Sequence, residues 1–183
     1  KSLPEETEAK KNSIYSTISL LESKECTNNK EYLDLINLYV ELNPSSLDAQ
    51  IMKSNALLAQ KKYSLAISSL NIAKKLSQND SILERITYKI ASAKYSSGSY
   101  SSAYNTAISI KGPLKSKALI IAGNSVGKNA NNCGSSTFER KCNYIYAVQL
   151  LLKAQSLGES TGLTISSFKK RYPTNSEFFD NGS

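Results

Sequence analysis

One motif occurs three times along this chain. Tyr63-x-x-Ala66-Ile67-x-x-Leu70-x-x-Ala73-x-x-Leu76 is followed by Tyr100-x-x-Ala103-Tyr104-x-x-Ala107-x-x-Ile110, and then by Tyr144-x-x-Ala147-Val148-x-x-Leu151-x-x-Ala154-x-x-Leu157. Each copy opens on tyrosine and places alanine three residues later. Two copies keep a later alanine, Ala73 and Ala154, where the middle one has Ile110. Steps of three and four put these positions on one face of a helix. The alanines let a second helix approach closely, and the aromatic ring fills the gap at the turn. A chain that returns to such a face at intervals of tens of residues is built for stacked helical pairs.

The remaining sequence agrees with helices throughout. Residues 5–23 carry Ile14, Ile18 and Leu21 at helical spacing, and 31–42 carry Leu35, Leu38 and Leu42. Lys24 to Lys30 reads as a polar turn around Asn28 and Asn29. Pro44 disfavours helix at Asn43, and Ser46 is placed to cap the next helix, 47–60. Further helices are expected over 63–76, 81–96, 100–110, 115–130, 138–157 and 163–172. The breaks are Lys61-Lys62, Ser97-Gly98-Ser99, Gly112-Pro113, the Asn/Gly/Ser-rich stretch 129–137, Gly158 with Gly162, and Pro173. About nine helices and no strand result. With only 8 glycines and 4 prolines, the composition disfavours a many-turned β architecture.

The motif resembles the tetratricopeptide repeat family. Its best unit is 47–80, thirty-four residues with Tyr63, Ala66 and Ala73 at the family's aromatic and small positions. Ala118-Leu119-x-x-Ala122-Gly123-Asn124 resembles the first helix of such a repeat, and residues 5–44 a degenerate unit closed by Asn43-Pro44. Ala66 to Ala103 is 37 residues and Ala103 to Ala147 is 44, the second interval holding the 129–137 insertion. The resemblance implies an all-α solenoid of three to four helix-turn-helix pairs, 5–44, 47–80, 81–112 and 115–158, in a single domain. A capping helix and tail, 159–183, would close it with the polar face of Ser166, Ser167, Lys169 and Lys170.

The last third is more particular. Asn132-Cys133-Gly134-Ser135-Ser136-Thr137-Phe138-Glu139-Arg140-Lys141 and Tyr172-Pro173-Thr174-Asn175-Ser176-Glu177-Phe178-Phe179-x-x-Gly182 resemble the C-terminal part of tetratricopeptide proteins exported by Gram-negative bacteria. That likeness implies a periplasmic or envelope-associated protein. It carries no chemistry with it. The opening Lys1 to Lys11 is polar, so no leader's apolar core is expected there. No apolar run approaches the ~18–20 residues of a membrane span.

Composition narrows the function. There is no histidine, which removes Ser–His–Asp and Cys–His nucleophiles and imidazole metal ligands. No pair of acids has a spacing that suggests acid–base work; Glu5, Glu6 and Glu8 suit the positive end of a helix. Gly123-x-x-x-Gly127-Lys128 lacks the spacing and hydroxyl of a phosphate loop, and Gly123 is better read as a close-packing residue. No enzyme, metal or cofactor is expected. The net charge of +8 is uneven: residues 85–138 hold seven Lys/Arg and no acid, whereas 1–84 hold ten against eleven. Such a stretch suits an anionic partner or a solvated face.

The repeat frame implies a concave surface formed by Asn55, Leu58, Arg85, Tyr88, Ser92, Tyr95, Lys117, Asn124 and Lys128. It would be basic and tyrosine-bearing, suited to an acidic or C-terminal peptide. Some family members clamp a peptide carboxylate with lysines, asparagines and an arginine. Asn55 and Lys117 fall near such positions, but Ile51 stands where a lysine would, so the clamp is incomplete. The expected partner is a protein or peptide, with a self-associating scaffold or homodimer and an anionic polymer or membrane surface as alternatives. Nucleic acid and a small-molecule substrate are not expected. Cys133 and Cys142 are nine residues apart; a disulfide pinning the loop and two free thiols are both open readings, with Cys26 left over.

Overall fold

A computed structural model of the chain describes residues 5–27 and 29–181; Gly182 of the C-terminal pattern and the first residues of the polar opening lie outside them. Ten α-helices and no strand occur among the described residues. The helices group into two compact units, one reaching to Ile86 and one starting at Thr87.

In the first unit, α1 (Glu5–Ser23), α2 (Lys30–Leu42), α3 (Leu47–Ala59) and α4 (Tyr63–Leu76) each pack on the next. Local signals set their ends. Asn29 accepts a hydrogen bond from the Tyr32 amide to start α2, and Ser46 accepts one from the Ala49 amide to start α3, as its position suggested. At the end of α3 the chain turns through Lys61 at φ 57°, closed by Lys62 N–H to the Leu57 carbonyl at 2.8 Å and Lys61 N–H to that of Leu58 at 2.9 Å. The core is Ile14, Ile18, Tyr32, Ile36 and Ala56. Tyr32 brings its hydroxyl to Glu22 Oε1 at 2.7 Å, and burial together with that carboxylate pushes its phenol up. On α4 the motif residues Ala66, Leu70 and Ala73 have no exposed surface.

Helix α5 (Asp80–Ser96) runs across the boundary between the units. In the second unit follow α6 (Tyr100–Ile108), α7 (Lys115–Asn129), a 3-10 turn at Ala130–Asn132, α8 (Thr137–Ser156), α9 (Gly162–Lys169) and α10 (Asn175–Asn181). Gly98, at φ +80°, makes the sharp step from α5 to α6 that other residues resist. Helix α6 packs on α7, α7 on α8, and α8 on both α9 and α10. Ala91, Ala103, Ala107, Ala118, Leu119 and Ala122 form the main core. Val148, Leu151 and Ile165 form a second cluster under α9, with Phe168 and Tyr172 against it.

The recurring alanines do what their spacing requires. Ala103, Ala147 and Ala154 are fully buried, like Ala66 and Ala73 in the first unit. Gly123 brings α7 so close to α8 that an added Cβ would lie 2.8 Å from Leu151 Cγ and 3.0 Å from the Ala147 carbonyl oxygen. It is a packing residue, as read from the sequence.

Element ends differ from the sequence reading, α6 stopping at Ile108 rather than 110 and α9 at Lys169 rather than 172, and two further features differ. Helix α8 begins at Thr137, because Ser136 and Glu139 form a reciprocal capping box. The tail after Pro173 contains a further helix, α10. Its start uses the same device: Glu177 accepts from the Thr174 amide at 2.7 Å while its own amide reaches Thr174 Oγ1 at 3.4 Å. Lys141 Nζ then donates to both Glu177 oxygens, at 2.6 and 2.9 Å, and Phe138 meets Phe178 edge-to-face at 5.4 Å.

Candidate functional site

The proposed groove residues divide between the units. Asn55 and Leu58 on α3 and Arg85 on α5 belong to the first, with Asn55 and Arg85 exposed and Leu58 half-buried. The other six belong to the second. Tyr88, Ser92 and Tyr95 occupy one face of α5, at spacings of four and three. Both tyrosines are half-buried and pack on the main core of the second unit. Burial pushes both phenols up; the Glu159 carboxylate adds to this at Tyr88, and Tyr100 at Tyr95. They are as much core residues as surface ones, which the sequence reading did not separate.

Lys117, Asn124 and Lys128 line up on α7 at spacings of seven and four, again one helix face. Lys117 and Lys128 are exposed, Asn124 half-buried. Neither lysine forms an ion pair with another described residue. They are two of the seven cations of the acid-free stretch.

A different site, missed in the sequence, lies where α6, α7 and α8 meet. Its cavity is about 220 Å³. Helix α6 contributes Tyr100, Ser101, Tyr104 and Asn105, α7 contributes Ser125, Val126 and Asn129, and α8 contributes Asn143 and Tyr146. Cys133, from the loop, completes the wall. None of the proposed groove residues lines it. The Tyr104 and Tyr146 hydroxyls share a hydrogen bond of 2.8 Å, their rings edge-on at 6.2 Å. That bond, then burial, pushes the Tyr104 phenol up to about 12. Asn129 donates to Ser101 Oγ and to Cys133 Sγ, both at 3.1 Å, and Asn143 donates to the Cys133 carbonyl at 2.8 Å. Ser125, 1% exposed, has the sole buried side-chain N or O atom without a hydrogen bond among the described residues.

Cys133 and Cys142 are half-buried free thiols and Cys26 an exposed one. Cys133 Sγ is engaged by Asn129. No group of three or more His, Cys, Asp or Glu among the described residues is arranged to hold a metal ion, and no described helix is long and apolar enough to cross a membrane.

No protein-family model matches the sequence, and no curated protein matches it significantly.

Proposed function

We propose that this chain is a non-catalytic interaction module, a tetratricopeptide-type α-solenoid that holds an acidic peptide or protein segment in the bacterial envelope. The observation that carries this reading is the α7 strip: Lys117, Asn124 and Lys128 on one helix face, with both lysines exposed and unpaired among the described residues. Two unneutralised cations flanking an amide suit a carboxylate-rich chain in extended form. The order of packing supports the repeat assignment, since within each unit most helix contacts run between sequence neighbours, as in one-dimensional repeat arrays. The buried motif alanines add to it.

The test is fluorescence polarisation with a labelled Asp/Glu-rich peptide and its Asn/Gln counterpart. The acidic peptide binds, the neutral one does not, and Lys117→Glu combined with Lys128→Glu abolishes binding with no change in thermal stability. Equal binding of both peptides, or an unaffected double variant, overturns the reading. Affinity that vanishes entirely in moderate salt points instead to a bare polyanion. A salt-stable, concentration-dependent dimer in sedimentation points to a self-associating scaffold.

A further inference from the structure

We propose that the groove between α1 and α3 of the first unit is a binding site for a linear aliphatic diamine or polyamine. Both helices pack on α2, and the space left between them is lined by Tyr15 and Glu22 of α1, Tyr39 of α2, and Asp48, Ile51 and Met52 of α3. Its volume, about 470 Å³, lies within the ~300–1,000 Å³ of small-molecule sites. No lysine or arginine is among the described residues that line it, whereas two carboxylates are. Glu22 and Asp48 are both exposed, so a ligand reaches them, and neither forms an ion pair with another described residue. Lys11 on α1 pairs instead with Glu8, at 3.3 Å. On a chain of +8, holding a cation requires a local surplus of negative charge, and this groove has one.

The spacing of the carboxylates selects the length of the ligand. Tyr15 and Tyr39 meet at the Asp48 end: their ring centroids are 5.7 Å apart, and burial, then Tyr15, Asp48 and Glu8, push the Tyr39 phenol up. Glu22 lies seven residues beyond Tyr15 on α1, about 10 Å along the axis. Tyr32 donates its hydroxyl to Glu22 Oε1 at 2.7 Å, which holds that carboxylate in place and leaves Oε2 open to a donor. Ile51 and Met52, one turn after Asp48 on α3, offer half-buried apolar surface to methylene groups. A monoamine meets one carboxylate only, and a metal ion needs its oxygen ligands converged on one point. A chain with an ammonium group at each end meets both carboxylates, each through a charge-assisted hydrogen bond. The positive end of α3 amounts to about half a charge, which keeps Asp48 ionised without cancelling its full negative charge.

The site lies in the other unit from the α7 lysine strip and takes the opposite charge, so either can fail without the other. It is tested by amide NMR titration of the full chain with spermidine and diaminooctane. Putrescine serves as a short diamine, butylamine as a monoamine and octanediol as an uncharged chain. The two long amines are expected to shift the amides of Tyr15, Tyr39 and Asp48 saturably, and to bind at least about threefold more tightly than putrescine or butylamine. Octanediol is expected to shift none of them. Glu22→Gln, which keeps an acceptor for Tyr32, and Asp48→Asn, at an exposed position, each weaken spermidine binding about threefold. Asp180→Asn on α10, which removes the same charge outside the groove, leaves it unchanged. The proposal is overturned if no amine shifts these amides, if octanediol shifts them equally, or if chain length makes no difference. Spermidine binding indifferent to both groove substitutions also overturns it. So does magnesium that displaces spermidine at equal concentration, since the groove would then attract any counter-ion. A lysine-rich peptide that binds more tightly than spermidine overturns it in favour of a basic protein segment.

Discussion

Gly127 lies against the ring of Phe168: a Cβ built on the glycine would run into the Cζ and Cε atoms of the phenylalanine. Helix α9 therefore meets α7 at a position where a side chain is missing. Gly123, one turn earlier, plays the same part toward α8. The two glycines, which lack the spacing of a phosphate loop, are a pair of contact points between helices.

Gly127→Ala should accordingly destabilise the second unit. Helix propensity favours alanine by about 1 kcal/mol, but overpacking costs about 1–3 kcal/mol, and the ring must leave its place beside Tyr144, 5.6 Å away. A net loss of about 1–2 kcal/mol is expected in urea unfolding. Phe168→Leu combined with Gly127→Ala should recover part of it, as contacting residues couple. Gly162→Ala is the control, since its Cβ would meet nothing within 4 Å. A Gly127→Ala protein as stable as the parent would show that α9 is not seated on α7.

Lys61 makes the opposite case. It is a non-glycine residue at φ 57°, in the position after α3 where helices most often place glycine. Its hydrogen bonds to the end of α3 come from backbone groups, so Lys61→Gly keeps them. Relief of the left-handed backbone outweighs the added freedom of the unfolded chain, and a gain of about 0.5–1 kcal/mol is expected. Unfolding at the same urea midpoint or a lower one would refute this.

The three thiols should separate by exposure. Cys26 is exposed, while Cys133 and Cys142 are half-buried and Cys133 Sγ accepts from Asn129. In the native protein a maleimide should label Cys26 first, and unfolding should release the other two. Alkylation followed by mass measurement should count all three as free thiols. Only one alkylated cysteine in the unfolded protein would instead indicate a closed Cys133–Cys142 ring.

How much of this the sequence discloses depends on range. Helix faces repeat at short spacing, so Ala66, Ala103 and Ala147 announce their burial directly. Ser46 announces a cap. Thr174-x-x-Glu177 also announces a helix start, and Pro173 beside it obscured the signal. The α6–α8 cavity is different. Tyr100, Ser125 and Tyr146 lie on three helices, and no local pattern shows that they meet. Nor can the sequence show that the Ser125 hydroxyl lacks a partner, a property of the packed neighbours. The half-burial of Tyr88 and Tyr95 escaped for the same reason, and alanine at either would test packing as much as binding.

The clamp on α10 gives a prediction with a definite sign. Lys141 and the Thr174 amide hold Glu177 well below its ordinary value near 4.5, down to about 2. A carboxyl whose folded value is depressed contributes stability that is present above its unfolded value and lost as pH falls through the folded one. Docking of α10 should therefore be intact above pH 4.5 and released between pH 4.5 and about 2. The check is an NMR titration of the Glu177 carboxyl carbon together with the Phe138–Phe178 ring contact, which lies at 5.4 Å when the helix is seated. Lys141→Met should move the carboxyl midpoint up and loosen the ring contact at neutral pH, while the core signals of Val148 and Leu151 stay in place. A midpoint already near 4.5 in the parent would show that the ion pair does not hold the helix in solution. The contact of the exposed Phe178 ring with Phe138 would then be what ties α10 to α8 among the described residues, and Phe138→Ala, not the lysine variant, would release it.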